Sequence, residues 1–299
     1  MSIATDLHAH TYFSDGTASP ERVVATRAQA GLRVIAISDH DIMAGVRRAA
    51  AAAAQAGITL LPAMEATAFL HFGQSNAEQI HILAYFPPSF LQGDRLEQTF
   101  LYRRGLRVQA RFAAFMQDFV DSLHTDDRDS LDPDGTLRDA QPDQFPGLQL
   151  LIDRIVARRP RIFRHFIRQH VRFWHDDRPL FGWSPEDLID AIRADGAIDI
   201  VAHPARYRDK DRLARLLLGA SGVEAYTSRH RPAWAQRFRD FAEAHGKLWT
   251  ASTDDHQKAD AAYAPPPVGT PAHVVERLLA GPVDVVAPPH TAPRPAEAP

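Results

Sequence analysis

The sequence predicts an α/β fold: a parallel sheet or barrel of alternating strands and helices, interrupted by an inserted helical subdomain. Three observations carry that expectation. Strand-like and helix-like patterns alternate through residues 1–87 and resume over 186–281. The strand segments are apolar on both faces, as in sheets covered on each side. Nearly every strand segment also finishes on a histidine, aspartate or glutamate, and in barrels of this kind active sites form at the carboxyl ends of the strands.

A short strand at 2–7 opens into TDLHAHTYFSDG, residues 5–16. Ser19-Pro20-Glu21 has the form of an N-cap followed by the first two helical positions, and the helix runs to Gly31, which tolerates a left-handed stop. RVIAIS (33–38) is a strand followed by Asp-His-Asp, and an alanine-rich helix over 43–56 ends at Gly57. ITLLPAM (58–64) is a third strand finishing on Glu65, and QIHILAYF (79–86) a fourth that carries His81.

The pattern then changes. Residues 94–123 read as a long arginine-rich helix, 124–149 as an acidic loop and 150–175 as a basic helical stretch, so 88–185 is expected to be an inserted helical subdomain. Alternation resumes with SPEDLIDAIRADG, a capped helix, and AIDIVAHP (197–204), a strand ending on His203. A helix at 210–219, the strand GVEAYT (222–227) with Glu224, a helix at 232–245 and KLWTASTDDH (247–256) complete seven strand segments. Residues 282–299, rich in proline and alanine, bury little and are expected to form a loose tail.

Composition narrows the chemistry. Among 299 residues there is no cysteine, which excludes disulfides and thiolate metal sites and leaves His, Asp and Glu as ligands, a set suited to borderline or hard divalent ions. A formal charge of −3 gives no overall basic field, although arginine outnumbers lysine 31 to 3. No apolar run reaches membrane-spanning length, and the N-terminus has neither a basic start nor an apolar signal core, so a cytoplasmic protein with no membrane or obligate protein partner is expected.

Each motif taken alone has an ordinary structural explanation. His8 and His10, two apart on a strand, point the same way and can reach one ion, but isolated pairs of this kind are common. Asp39-His40-Asp41 reads equally well as a polar loop with Asp41 as a helix cap, Glu65 as a strand-end carboxylate, His81 as a core histidine and Asp254-Asp255-His256 as an acidic loop. Their joint arrival at one barrel mouth is harder to dismiss, because so many charges need compensation by cations.

The combination D-L-H-A-H (6–10), Asp15, S-D-H-D (38–41), Glu65, His81, A-H-P-A-R-Y (202–207) and S-T-D-D-H (252–256) resembles the polymerase and histidinol phosphatase (PHP) family over roughly 4–86 and 196–270. Within that family it looks most like the phosphoesterases acting on nucleoside bisphosphates and short RNA ends, because of AHPARY and GVEAYTSRH (222–230). The resemblance implies a distorted (β/α)7 barrel with three divalent metals, manganese in first place and iron or zinc as alternatives. It implies His8, His10, Glu65 and Asp254 around the first metal, a bridging Glu65 with His81 and His203 around the second, and Asp15, His40 and His256 around the third. A related amidohydrolase reading would want a lysine at a central strand end, and Lys210, Lys247 and Lys258 are not so placed.

For the substrate, the resemblance implies phosphate contacts from Arg206 and His230 and from His165 and Arg168 in the insertion, where Phe163 stands at a position at which the family pattern has arginine. The segment 154–178 carries eight arginines and three histidines, whose plainest reading is a solvated helix face and whose functional reading is a phosphate clamp. The expected activity is hydrolysis of a phosphate monoester of a nucleotide-type substrate by a metal-bridged hydroxide, with Arg206 neutralising phosphoryl oxygens and His230 or His203 protonating the leaving oxygen. The alternatives are a 5'-3' exonuclease on short single-stranded RNA or DNA, and a cyclic-phosphate or sugar-phosphate hydrolase.

Overall fold

Among the described residues nine strands organise the fold: β1 (Ser2–Ile3), β2 (Thr5–Asp6), β3 (Val34–Ile37), β4 (Thr59–Leu70), β5 (Glu78–Tyr85), β6 (Ile198–Val201), β7 (Gly222–Tyr226), β8 (Leu248–Ala251) and β9 (Thr270–Pro271). The structure, a computed structural model, describes residues 1–139, 147–258 and 262–282. Strands β2 to β8 lie side by side in sequence order as one seven-stranded sheet, and a parallel bridge between Ala9 and Asp255 brings its two edges together into a nearly closed barrel.

The expected strand at 2–7 is divided. β1 pairs antiparallel with β9, while β2 enters the main sheet beside β3. A second departure matters more. β5 runs antiparallel to both β4 and β6, whereas the other neighbouring pairs are parallel. The connection over residues 71–77 is too short for a crossover helix, so the chain has to return alongside β4 in the opposite direction. β4 also continues past Glu65 to Leu70. Glu65 and His81 therefore sit within strands, not at carboxyl ends, and the expectation that each ligand-type residue closes its strand fails for these two.

Alternation along β4 sends Leu61, Ala63, Glu65, Thr67 and Phe69 to the inner face. Leu61 and Ala63 join Leu7, Ala36, Leu83, Tyr85 and Ile200 in an apolar plug that fills the barrel floor. The outward-facing Met64, Ala66 and Ala68 pack with Ile80 and Ile82 against the surrounding helices. That layer comprises α1 (Pro20–Gln29), α2 (Val46–Ala56), α8 (Pro185–Ala194), α9 (Lys210–Gly219), α10 (Pro232–Ala244) and α11 (Ala272–Ala280). The Ser19 and Ser184 hydroxyls cap α1 and α8 as their sequences suggest, and α2 ends at Gly57 in the left-handed conformation with φ of 68°.

Between β5 and α8 the described residues are mostly helical: α3 (Phe100–Asp121), α4 (Thr125–Leu131), α5 (Gly147–Arg158), α6 (Phe163–Asp176) and α7 (Arg178–Phe181). α4 falls where a loop was expected. Asp126 and Asp127 in its first turn suit the helix N-terminus, and Asp127 also binds Arg159 and Arg161. An aromatic core of Phe112, Phe115, Phe119, Phe166 and Phe173 holds these helices together and merges with Phe13, Ile42 and Phe69 at the barrel mouth. The expected tail at 282–299 lies, beyond residue 282, outside the described residues. None of the described helices is long and apolar enough to cross a membrane.

α3 is tied to the barrel by a buried ion pair. Arg104 donates from NH1 to Asp41 Oδ1 at 2.6 Å and from Nε to the Leu180 carbonyl at 3.1 Å, with both side chains fully buried. Gly105 permits this approach, since a Cβ there would stand 2.9 Å from the Asp41 carbonyl oxygen. Asp41 is thus an ion-pair partner of the helical insertion and not a helix cap. Because removal of one member leaves the other charge buried alone, Arg104→Ala should destabilise the fold by about 3–5 kcal/mol, measured by equilibrium denaturation; a loss under about 1 kcal/mol would contradict the assignment.

Candidate metal centre

Above the apolar plug the barrel interior turns polar, and Glu65 stands at its middle. Its Oε1 lies 2.9 Å from His81 Nδ1 and 2.8 Å from His203 Nε2. Its Oε2 lies 3.0 Å from His40 Nδ1, 3.2 Å from His8 Nε2 and 3.3 Å from His10 Nε2. Asp254 Oδ1 approaches His10 Nε2 at 3.3 Å and His8 Nε2 at 3.6 Å. Asp15, on the loop after β2, sits 3.1 Å from His256 Nε2, 3.4 Å from His10 Nδ1 and 3.6 Å from His40 Nε2. All nine residues expected as ligands thus meet in one cluster.

Their grouping is less discrete than expected. Among the described residues, the sets close enough to share an ion are His10, Asp15, His40 and His256; His8, His10 and Glu65; and His40, Glu65 and His81. His10 and His40 each join two sets. The Asp15 side is the open one: Asp15 and His40 retain 31% and 24% side-chain exposure, while His8, His10 and Glu65 are sealed.

Further carboxylates position the cluster. Glu224 accepts from His8 Nδ1 at 3.0 Å and from the His203 amide at 2.8 Å, leaving His8 Nε2 to face Glu65. Asp39 receives the Thr11 amide, the Thr11 hydroxyl and the Ser14 hydroxyl at 2.7, 2.7 and 2.6 Å, which pins the loop carrying Asp15. Arg229 contacts Asp254 Oδ2. Glu224 was visible in sequence as a strand-end residue without a role, whereas nothing local in TSRH marks Arg229. Backbone geometry is also unusual, with His203, Asp254 and Asp41 at φ of 29°, 53° and 54°. Such conformations cost about 1–3 kcal/mol each and persist where surrounding structure enforces them.

The donor set fits divalent ions. Glu65 Oε2 is buried with no hydrogen-bond partner among the described residues, although three imidazole nitrogens crowd it. His8 Nε2 and His10 Nε2 face one another at 3.1 Å, an arrangement natural for two lone pairs aimed at one cation. Proton affinities are strongly perturbed. Burial alone would lower the His10 pKa, but Asp15, Asp254 and Glu65 raise it to about 10. Burial would likewise raise the Glu65 pKa, but His40, His8 and His81 hold it well below the usual carboxylate range. Burial brings His40 down to about 4.

The expected substrate contacts divide. Arg206 lines a cavity of about 740 Å³ above the cluster, together with Arg208 and Arg229. The cap contributes Phe112, His170, Trp174 and His175, and the barrel Phe13 and Phe69. His165, Arg168 and His230 are not among its described lining residues. His165 stacks on Phe119, and Arg168 is exposed near the middle of α6. His230 donates through Nδ1 to the Ala225 carbonyl and accepts the Ala205 amide at Nε2. His203 binds Glu65 through Nε2 and Tyr207 through Nδ1. Neither histidine expected as an acid has a ring nitrogen free to face the cavity, because the turns that place them also consume their polar atoms.

Fold and cluster together define a barrel protein built to hold divalent metal ions beneath a helical cap. Residues 6–132 match the family described as PHP domain. The chain is 25% identical over 267 residues to a 3',5'-nucleoside bisphosphate phosphatase of Chromobacterium violaceum, covering 84% of this chain and 86% of that protein. It is 26% identical over 249 residues to a 5'-3' exoribonuclease of Haemophilus influenzae, covering 75% and 79%. A candidate metal-dependent phosphoesterase from Bifidobacterium adolescentis has the same fold, with a TM-score of 0.65 at 22% identity over 96% of this chain and 99% of that one.

A metal ion requires the neutral form of a ligating imidazole. Since His10 has its pKa raised to about 10, it carries a proton at pH 7 that a bound ion has to displace. Manganese binding at pH 7 should therefore release protons, and affinity should rise with pH toward that value. Titration calorimetry in two buffers of different ionisation enthalpy reads the proton count directly; no release would contradict the assignment.

Proposed function

We propose that the protein is a metal-dependent phosphoesterase that removes a phosphate from a nucleotide-type substrate such as a nucleoside 3',5'-bisphosphate. The observation that carries this reading is the cavity itself, with a carboxylate–imidazole cluster on its floor, arginines at one side and aromatic rings at the other. At about 740 Å³ it has room for one nucleotide.

In this reading His8, His10, Glu65 and Asp254 hold one ion, Glu65, His81 and His203 a second, and Asp15, His40 and His256 a third. Bound divalent ions would supply positive charge against the phosphoryl oxygens and lower the pKa of a water toward neutrality. The chain's own residues do the rest. Arg206 is exposed, has no side-chain hydrogen bond or ion pair among the described residues, and can take phosphate oxygens bidentately. Arg229 brings a second guanidinium to the same space while it restrains Asp254. Glu224 and Asp39 keep His8 and the Asp15 loop in place. Phe13, Phe69, Phe112 and Trp174 offer apolar surface to a base and exclude water above the cluster.

A 5'-3' exonuclease is the second reading, supported by a specific feature of the cap. Arg164, Arg168 and Arg172 recur every fourth residue on the exposed face of α6, with no ion pair among the described residues, and α6 reaches the cavity at Val171 and His175. Such a row suits a phosphate backbone.

Phosphate release with added manganese, across nucleoside mono- and bisphosphates, cyclic phosphates, sugar phosphates and short oligonucleotides, separates these readings. A mononucleotide phosphatase should turn over bisphosphates with little response to salt, whereas an exonuclease should prefer oligonucleotides and weaken steeply as salt rises. Glu65→Ala should lose bound metal and activity together, and full activity in that variant would sink the metal-centred mechanism.

If Trp174 supports a base, Trp174→Ala should reduce kcat/KM for nucleotides about 10-fold or more, as expected for about 1–3 kcal/mol of stacking, and leave ribose 5-phosphate turnover nearly unchanged. Equal losses on both substrates would remove the base-binding role.

A further inference from the structure

The barrel has a seam. β2 and β8 lie at opposite ends of the strand order, and among the described residues their edges pair through the main chain beyond these strands, at the Ala9–Asp255 bridge. The main-chain bonds that close it run from His10 N to Asp255 O at 3.0 Å, from Asp254 N to His8 O at 2.9 Å and from Thr17 N to His256 O at 3.0 Å. Of the residues in these bonds, His8, His10, Asp254 and His256 are themselves members of the polar cluster. His8, His10 and Asp15 come from one side of the seam, and Asp254 and His256 from the other.

Arg27 of α1 lies behind this junction with 0% exposure. It donates from Nε to Asp6 Oδ2 at 3.2 Å and from NH2 to Asp255 Oδ2 at 2.8 Å, and its guanidinium stacks over Tyr263 at 4.0 Å. Asp6 in turn accepts the Thr253 amide at 2.9 Å and the Thr253 hydroxyl at 2.8 Å, both across the seam. Asp255 sits between two expected ligands, and Asp254 beside it holds a left-handed backbone with φ of 53° that needs external restraint. Fixing the Asp255 carboxylate therefore orients both of its neighbours.

We propose that Asp6, Arg27 and Asp255 form a clasp across the barrel seam that sets how tightly the metal centre holds its ions, with Arg27 as a positioning residue. This rests on the reading of the cluster as a metal centre. The clasp touches no ion. It acts by holding two ligand-bearing segments in register, as groups that orient ligating side chains do in other metal sites.

Two mild variants test it. Asp255→Asn removes the cross-seam charge while leaving Arg27 paired with Asp6, and Arg27→Lys keeps the charge but loses the forked geometry. Manganese binding is measured by equilibrium dialysis with metal analysis, and amide exchange is followed on the metal-free proteins, with β5 as internal reference. Both variants should bind manganese about 10–100-fold more weakly, and both should exchange faster over 5–17 and 250–258 while β5 keeps wild-type protection. Wild-type manganese affinity in both variants would overturn the proposal. So would faster exchange spread evenly over β5 and the seam, which marks a general structural prop. A wild-type protein that binds no manganese would instead remove the metal reading beneath it, an outcome visible before any variant is made.

Discussion

Five imidazoles around one carboxylate are the constraint on which the rest of the structure depends. Glu65 is buried inside a barrel, and His8, His10, His40, His81 and His203 approach its two oxygens. An ionised carboxylate in such a place is costly unless it is surrounded by compensating groups. Those groups come from the chain after β2 and β3, from β5 and from the turn after β6. The barrel has to bring all of them to one height, just above a floor sealed by Leu61, Ala63, Leu83 and Tyr85.

Around that centre lies a ring of buried acids whose work is to hold other groups still. Glu224 fixes His8 and His203, Asp39 fixes the Asp15 loop, Asp6 fixes Thr253, and Asp41 ties His40's neighbourhood to α3. Each accepts main-chain N–H groups or hydroxyls, and only Asp41 keeps one oxygen, Oδ2, without a hydrogen-bond partner among the described residues. The strained turns at Asp41, His203 and Asp254 are held by the same bonds. These bonds hold the side chains of the cluster in place, and pre-organised charge is what the proposed phosphoryl chemistry would require.

The helical cap has different physics. Its aromatic core is its own, yet it runs into the barrel mouth through Phe13, Ile42 and Phe69. The cavity lies along that boundary, polar below and aromatic above.

The sequence by itself determined the strand–helix alternation and the capped helices at Ser19 and Ser184, because local periodicity survives without knowledge of contacts; the nine clustered residues were legible only through the resemblance of their motifs to the PHP family. It did not determine the direction of β5, since strand polarity depends on the length of a connection and on which neighbour is available. Nor did it place α4, whose short acidic run reads as a loop until Arg159 and Arg161 fold back to pair with Asp127. Only tertiary structure turned Asp41 from a helix cap into the partner of Arg104, and took His165, Arg168 and His230 away from the cavity. Long-range pairing decided these points: a side chain's role here depends on residues tens to hundreds of positions away, and no local pattern encodes which of them it meets.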